Sequence, residues 1–444
     1  MSQENGHKNN SHYDWDALMH DGLAHRSLYT DPAIFELEMV KVFGGSWTFL
    51  GHESEIAKPN DFISRRLGLR PLIITRDRDG KVHALMNRCS HRGATVCRLP
   101  SGSAKFFTCP YHGWGYTNQG ELISVPGEGA YGEEYKRSDY NLAHLPRVDS
   151  YRGFIFGTLN PEVGPLLEWL AGARPLLDQW LDRYPGTEIV VRSSAQRLVI
   201  RANWKMIYDN AGDGYHPAYS HQSLLEIAAD RYGPEYDMQY FGKSSTDPDD
   251  SPLYVQSLGN GHTFLDQRPE MHADSAWQRQ RPQPSREAYE NSLKSRVGEE
   301  EARELLEVAI GSGMNLTIFP NLLIVGNQLQ VLEPLAVDRA QVNWYGTTLS
   351  GVPDEINVLR MRTQEDFPAL GDVDDNANFE ACQAGLAIPE MEWVDISRHL
   401  RTRREKIDAQ GIITGPVTDD LHMRSYYKEW KRLMSADLKL TVER

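Results

Sequence analysis

The chain has 444 residues, enough for two or three domains, and an ordinary globular composition. A formal net charge of −15 with no dense basic run excludes a nucleic-acid surface. No apolar run is long enough to span a membrane, the first twelve residues lack the apolar core of a secretory signal, and four cysteines are too few for a disulfide framework, so the expected location is cytoplasmic and reducing.

In chain order, a polar tail precedes Asp31-Pro32, a good helix start with Asp as N-cap and Pro at the first helical position. Residues 47–50 read as a first strand. Residues 71–76 and 82–86 form a hairpin around Asp79-Gly80, with His83 a structural strand residue. Residues 114–116, 122–123 and 152–159 complete an all-β unit. This predicts an N-terminal helical segment (1–45) packed on the larger C-terminal part, an all-β domain (46–160) and a larger domain (161–444). In the last, the patterns predict a helix at 166–181, strands within 188–200 and an interrupted helix over 204–225. An irregular excursion at 247–285, covering a pocket, and a charged helix at 299–310 follow. Strands at 316–319, 322–325, 328–332 and 342–349 form an antiparallel sheet, and helices at 375–386 and 421–434 end the chain. The fold class is α+β.

Two stretches carry chemistry. Cys89-Ser90-His91 and Cys109-Pro110-Tyr111-His112 each offer one thiolate and one imidazole, the set a Rieske-type [2Fe–2S] cluster needs. A zinc clip is the rival, but zinc sites more often repeat C-x2-C or H-x3-5-H spacing.

The second stretch runs from Asp209 to His221. At 100° per residue Asp209, Asp213 and His216 share one helical stripe, while His221 lies about 140° further round. The imidazoles can converge only through a kink, expected at Pro217 with help from Gly212 and Gly214. Two imidazoles and one carboxylate make the facial triad of non-haem Fe(II) oxygenases. Asp366, Asp372, Asp374, Asp375 and Glu380 are candidates for the carboxylate, with Asp374 and Asp375 also readable as plain helix N-caps.

Together these patterns resemble the large (α) subunit of Rieske non-haem iron ring-hydroxylating oxygenases, over nearly the whole chain from Trp47 to Met434. The family pattern C-x-H, spacer, C-x2-H is met by Cys89, His91, Cys109 and His112, and D-x2-H-x4-H by Asp213, His216 and His221. The resemblance implies one Rieske [2Fe–2S] cluster and one mononuclear Fe(II). It implies an all-β cluster domain and a catalytic domain whose antiparallel sheet is covered by helices, of the helix-grip type. It also implies Asp375, second of the Asp374-Asp375 pair, as third iron ligand, and Asp213 as the carboxylate bridging His216 to His112 of a partner subunit. The implied reaction is cis-dihydroxylation of an aromatic ring with O2, by a homotrimer or an α3β3 assembly with a small subunit, fed by a ferredoxin or flavin reductase. The chain has neither a G-x-G-x-x-G fingerprint nor a plant-type ferredoxin cysteine set, so NADH is used by another protein.

Residues 51–55, 88–94 and 125–128 look like the branch that includes p-cumate and related aromatic-acid dioxygenases, which implies an aromatic acid or a substituted or polycyclic arene as substrate. Asn210 and Ala211, with Asn315, Ile318, Leu323 and Leu329, are expected pocket walls. One departure is Asp209, where many members carry Asn four residues before the bridging Asp. A monooxygenase on the same scaffold is the nearest alternative. A pure electron-transfer protein would not need His216 and His221.

Overall fold

The computed structural model describes residues 13–182, 186–191, 195–223, 226, 230, 251–268, 286–309, 313–358, 360–361, 371–402 and 404–444. Asp31 caps the helix Pro32–Lys41 through its side chain, with Pro32 in the first turn. Three small antiparallel sheets follow. The first is ordered Val82–Met86, Arg70–Arg76, Asp61–Leu67, Ser101–Ser103. The second contains Phe106–Thr108, Gly115–Thr117 and Leu122–Ser124, and the third Thr48–His52, Phe154–Thr158 and Arg147–Tyr151. Gly80 takes the positive φ (+84°) that the Asp79-Gly80 turn requires. Both cysteine–histidine segments are loops between these strands. Asn87 closes the first at its base, accepting from the Val96 and Cys97 amides at 3.0 and 2.8 Å and donating to the Cys97 carbonyl at 2.7 Å.

The larger part is built on a ten-stranded antiparallel sheet. Its order is Ile189–Val191, Arg339–Leu349, Gln328–Ala336, Leu322–Val325, Met314–Ile318, Thr263–Asp266, Tyr254–Ser257, Ile413–Pro416, Lys406–Ile407, and Gln196–Ile200 also pairs with Arg339–Leu349. The expected strands are present, and Gln328–Ala336 is longer than its apolar pattern. The excursion expected at 247–285 is corrected: Tyr254–Ser257 and Thr263–Asp266 pair as a hairpin in mid-sheet, turned by Gly259, Asn260 and Gly261, all at positive φ. Polar flanking composition hid four-residue strands that only pairing with Met314–Ile318 and Ile413–Pro416 defines. Residues 247–250 and 269–285 lie outside the described residues. The helix expected at 166–181 is two, Leu166–Leu170 and Ala173–Leu181, broken where Ala171 sits at φ +44°. A helix at Arg286–Val297, not foreseen, precedes the charged one at Glu299–Ala309, with Gly298 (φ +88°) between them.

The N-terminal segment is held on the catalytic part by a buried carboxylate. Glu38 accepts from Lys205 Nζ at 2.6 Å, Trp430 Nε1 at 2.7 Å and Trp204 Nε1 at 2.9 Å, and both Glu38 and Lys205 are fully buried. This knot ties three helices together: Pro32–Lys41, Trp204–Ala211 and Leu421–Ser435. The segment is not wholly helical, since Met19–His20 and Leu23–His25 pair with Trp393–Asp395 in a small sheet. The last residues run back along the all-β unit, where His144 and Glu443 exchange backbone hydrogen bonds of 2.7 and 3.1 Å. Among the described residues no helix is long and apolar enough to cross a membrane.

Candidate active site

The two ligand loops of the all-β unit repeat one backbone design. The Cys89 amide donates to the Ala94 carbonyl and the Gly93 amide returns to Cys89 O; the Cys109 amide donates to Trp114 O and the Gly113 amide returns to Cys109 O. Gly93 and Gly113 occupy matching positions at φ +77° and +73°, a conformation β-carbons disfavour. The loops face each other: the His91 and His112 ring centroids are 4.5 Å apart, and both thiols are buried. Tyr116 lies behind, its hydroxyl 3.2 Å from Cys89 Sγ and accepting from the Ser90 amide. His91 Nδ1 is buried with no hydrogen-bond partner among the described residues, a donor atom held for something other than protein. Two soft sulfurs and two imidazoles match the ligand set of a Rieske cluster.

The second site is carried by the helix Trp204–Ala211, the turn after it and the helix Asp372–Leu386. The helix stops at Gly212, and the chain turns through Asp213–Tyr215 before the short helix Pro217–Ser220. The expected kink at Pro217 is therefore corrected. His216 is helical (φ −70°, ψ −31°) despite preceding proline, and the break lies earlier, at Gly212–Tyr215, which contains the two glycines expected to help it. Packing explains the glycines. A β-carbon on Gly214 would meet Val417 Cγ2 at 2.4 Å, and one on Gly212 would meet His422 Cβ at 2.8 Å.

That break brings the imidazoles together. His216 Nε2 and His221 Nε2 lie 3.6 and 3.5 Å from the same atom, Asp375 Oδ1. These three side chains form a group able to hold a single metal ion, with ligand atoms all within 4.8 Å of one another. The other carboxylates fall elsewhere. Asp374 Oδ2 lies 3.8 Å from the far nitrogen of His221, Nδ1. Glu380 pairs with Arg201 at 2.7 Å, and Asp366 lies outside the described residues. Asp372 faces Trp344, and burial raises its carboxyl to about 7. The helix begins at Asp372, so Asp374 and Asp375 are first-turn residues and neither is its N-cap.

Each imidazole thus has a carboxylate behind it. Asp213 Oδ2 is 3.4 Å from His216 Nδ1, and Asp374 stands behind His221. Burial pushes the Asp213 carboxyl up, but the adjacent His216 outweighs it and holds it below the ordinary range. His216 moves oppositely: burial lowers it, and Asp213 lifts it above its usual value. Burial lowers His221 and raises Asp375. A divalent cation would favour both neutral imidazoles and the ionised carboxylate, so the donor set fits one. Asn210 Nδ2 is 3.1 Å from His216 Nε2 and 3.3 Å from Asp375 Oδ1, beside the candidate ligand atoms. Ala211 is near it through its carbonyl, which accepts from Asn315. Ile318, Leu323 and Leu329 belong to the main apolar core.

Comparison with known proteins agrees with this geometry. Residues 46–149 match the family described as Rieske [2Fe-2S] domain, and residues 187–436 match the ring hydroxylating alpha subunit (catalytic domain). The toluate 1,2-dioxygenase α subunit of Pseudomonas putida is 35% identical over 446 residues, covering 94% of this chain and 92% of that one. The chain belongs to the Rieske ring-hydroxylating oxygenase α-subunit family. The 2-halobenzoate 1,2-dioxygenase large subunit of Burkholderia cepacia is 34% identical over 84% of this chain and 79% of its own. Naphthalene 1,2-dioxygenase from Rhodococcus sp., solved with indole bound, superposes with a TM-score of 0.74 at 27% identity, covering 94% of this chain and 95% of that one.

This Rieske oxygenase α subunit is an aromatic ring-hydroxylating dioxygenase component with a [2Fe–2S] domain and a catalytic domain that binds mononuclear iron. Such subunits oligomerise and work with separate electron-transfer partners. The departure at Asp209 does not reach the metal-binding group. Asp209 is half-buried and engaged by two tyrosines, accepting from Tyr29 at 3.0 Å and from Tyr426, and desolvation raises it to about 7. Sequence reading missed Glu38 and Lys205, which anchor the site helix, and His422, which packs on Gly212. All three are isolated polar residues in apolar surroundings, a pattern without local periodicity.

Proposed function

We propose that the chain is the terminal oxygenase component for cis-dihydroxylation of an aromatic carboxylate, with His216, His221 and Asp375 as iron ligands and Cys89, His91, Cys109 and His112 as cluster ligands. The observation that carries this is the convergence of two imidazoles on one buried carboxylate oxygen, with a second carboxylate, Asp213, behind one of them. The bound iron would supply O2 activation and the cluster would supply stored electrons. Asp213 keeps the His216 proton on Nδ1, so that Nε2 presents its lone pair to the metal. Asp374, 3.8 Å from His221 Nδ1, favours the same tautomer there by its charge. Asn210 places an amide beside the ligand atoms, able to orient a polar substrate atom. Asp213 retains 27% exposure of its side chain, within reach of a second copy, and bridges to His112 of a partner subunit in a ring of three. The assembly is α3, or α3β3 with a small subunit, working in the cytoplasm with a ferredoxin or flavin reductase. The relatives named for toluate, 2-halobenzoate and anthranilate share a benzoate core, which favours an aromatic acid as substrate.

The test is a panel of benzoates and neutral arenes with a reductase under 18O2, read by product mass and stereochemistry. A cis-diol carrying both labelled atoms is the expected product. A product with one labelled atom would make this a monooxygenase on the same scaffold, and turnover of neutral arenes alone would reject the carboxylate.

A further inference from the structure

The two cluster-side histidines have different surroundings. His112 sits under the exposed ring of Tyr111, centroids 3.8 Å apart. His91 instead stacks on Trp114, centroids 4.9 Å apart and planes within 7°. Trp114 is buried, and three tyrosines meet it edge-on: Tyr140 at 5.7 Å, Tyr131 at 6.0 Å and Tyr135 at 6.4 Å. These tyrosines also stack on one another, Tyr131 on Tyr135 and Tyr135 on Tyr140, each at 4.9 Å. Tyr131 is 44% exposed. Two ring contacts, His91 to Trp114 and Trp114 to Tyr131, therefore lead from the cluster loops to solvent.

The loop that presents these rings is shaped for it. The 3-10 turns Glu128–Tyr131 and Arg137–Tyr140 are joined by the Glu128–Arg137 ion pair, with Gly127 and Gly132 at positive φ on either side of the first. Covering Trp114 needs only the inner tyrosines, Tyr135 and Tyr140, which are partly buried. Tyr131 adds an aromatic face turned to water, the kind of residue that dominates contact energy when a partner covers it. The same loop carries three exposed carboxylates, Glu133, Glu134 and Asp139, against one exposed amine, Lys136, while the exposed guanidinium of Arg137 is paired with Glu128.

We propose that this aromatic array is the electron-input side of the subunit: a one-electron donor protein with basic residues around its contact face docks on Tyr131, and the electron reaches the cluster through Trp114 and His91. The proposal rests on the reading of Cys89, His91, Cys109 and His112 as cluster ligands. The donor loses one electron and the cluster gains it; no bond or proton moves. Contacting π systems couple donor and acceptor better than the same distance of water. Input beside His91 leaves His112 for output towards Asp213 of a partner subunit, so donor and neighbouring copy can be bound together. A small contact with complementary charge suits a redox encounter, which must form and release quickly.

The test uses holoenzyme and a flavin reductase carrying a plant-type [2Fe–2S] domain, chosen because it reduces the wild-type cluster, with bleaching of cluster absorbance followed by stopped flow. Tyr131→Leu should slow reduction by the reductase about tenfold, the loss expected of an aromatic anchor. Tyr131→Phe, which keeps the ring, should retain the wild-type rate. Dithionite reduction and the reduced-cluster EPR spectrum should be unchanged in both. Glu133→Lys with Glu134→Lys should weaken docking and flatten its salt dependence. Equal reductase-driven rates in wild type and Tyr131→Leu would overturn the proposal. So would slowed transfer to the catalytic iron in pre-reduced Tyr131→Leu, which would assign the array to the contact between copies. Wild-type protein without cluster absorbance would instead defeat the ligand reading.

Discussion

Replacing Glu38 by Gln removes the negative charge at the centre of the knot that anchors the site helix. Glu38 receives three donors, one charged, and nothing around it is exposed. A glutamine offers one carbonyl oxygen, so at least one indole N–H loses its acceptor and Lys205 loses its counter-charge. Breaking a buried pair from one side costs about 3–5 kcal/mol. Neutralising Lys205 limits the penalty: deprotonating an ordinary lysine at pH 7 costs about 4.6 kcal/mol, which falls in the same range. Burial already lowers Lys205 with Glu38 present, so the real limit is lower still. At about 2–4 °C per kcal/mol, the catalytic unit should melt roughly 6–20 °C earlier. The cluster loops sit in a separate apolar core, so their visible absorbance should survive to near its original temperature. Differential scanning calorimetry with parallel absorbance melts measures both. Glu38→Met with Lys205→Met should recover only the part of the loss due to the unpaired charge, because the buried Trp204 and Trp430 indole N–H groups remain without an acceptor. A Glu38→Gln midpoint within about 2 °C of wild type would refute the claim that this ion pair holds the helix in place.

Asp375→Ala should reduce iron content from about three to about two per chain and abolish turnover while leaving the cluster spectrum intact; full iron content would reject Asp375 as a ligand. Asp374→Asn should keep the iron but lower metal affinity or activity about 10–100-fold by loosening His221, and iron loss equal to that of Asp375→Ala would make Asp374 a ligand instead. Asp213→Ala should slow cluster-to-iron transfer in single-turnover kinetics more than it disturbs either metal; an unchanged rate removes the bridging role. His262 and His52 are held down to about 4 by burial, against about 6.5 in an unfolded chain. Their contribution is complete above pH ~6.5 and lost as pH falls towards ~4, at most about 3 kcal/mol each, because the unfolded chain binds those protons first. His262 Nδ1 already accepts from the Phe319 amide, so it has no room for a proton. Urea midpoints should fall between pH 7 and 5, less steeply in His262→Phe, and identical slopes in the two proteins would contradict this.

The sequence by itself determined the chemistry. Thiolate and imidazole at fixed spacing on short loops, and D-x2-H-x4-H beside a helix, restrict the ligand geometry locally. Alternating apolar residues likewise marked the longer strands of the sheet. Tertiary structure decided what depends on residues far apart in the chain. Spacing alone left five candidate carboxylates and only the family resemblance singled out Asp375; the packing of the helix Asp372–Leu386 is what brings its carboxylate within 3.6 Å of both His216 and His221. The break lies at Gly212–Tyr215 and not at Pro217, and the close packing of Val417 and His422, about two hundred residues later, leaves room only for glycine at 212 and 214. The mid-sheet hairpin and the Glu38 knot were invisible for the same reason: a four-residue strand or a lone buried charge is defined by its partners. Local spacing encodes which atoms can bind, while packing selects which of them meet.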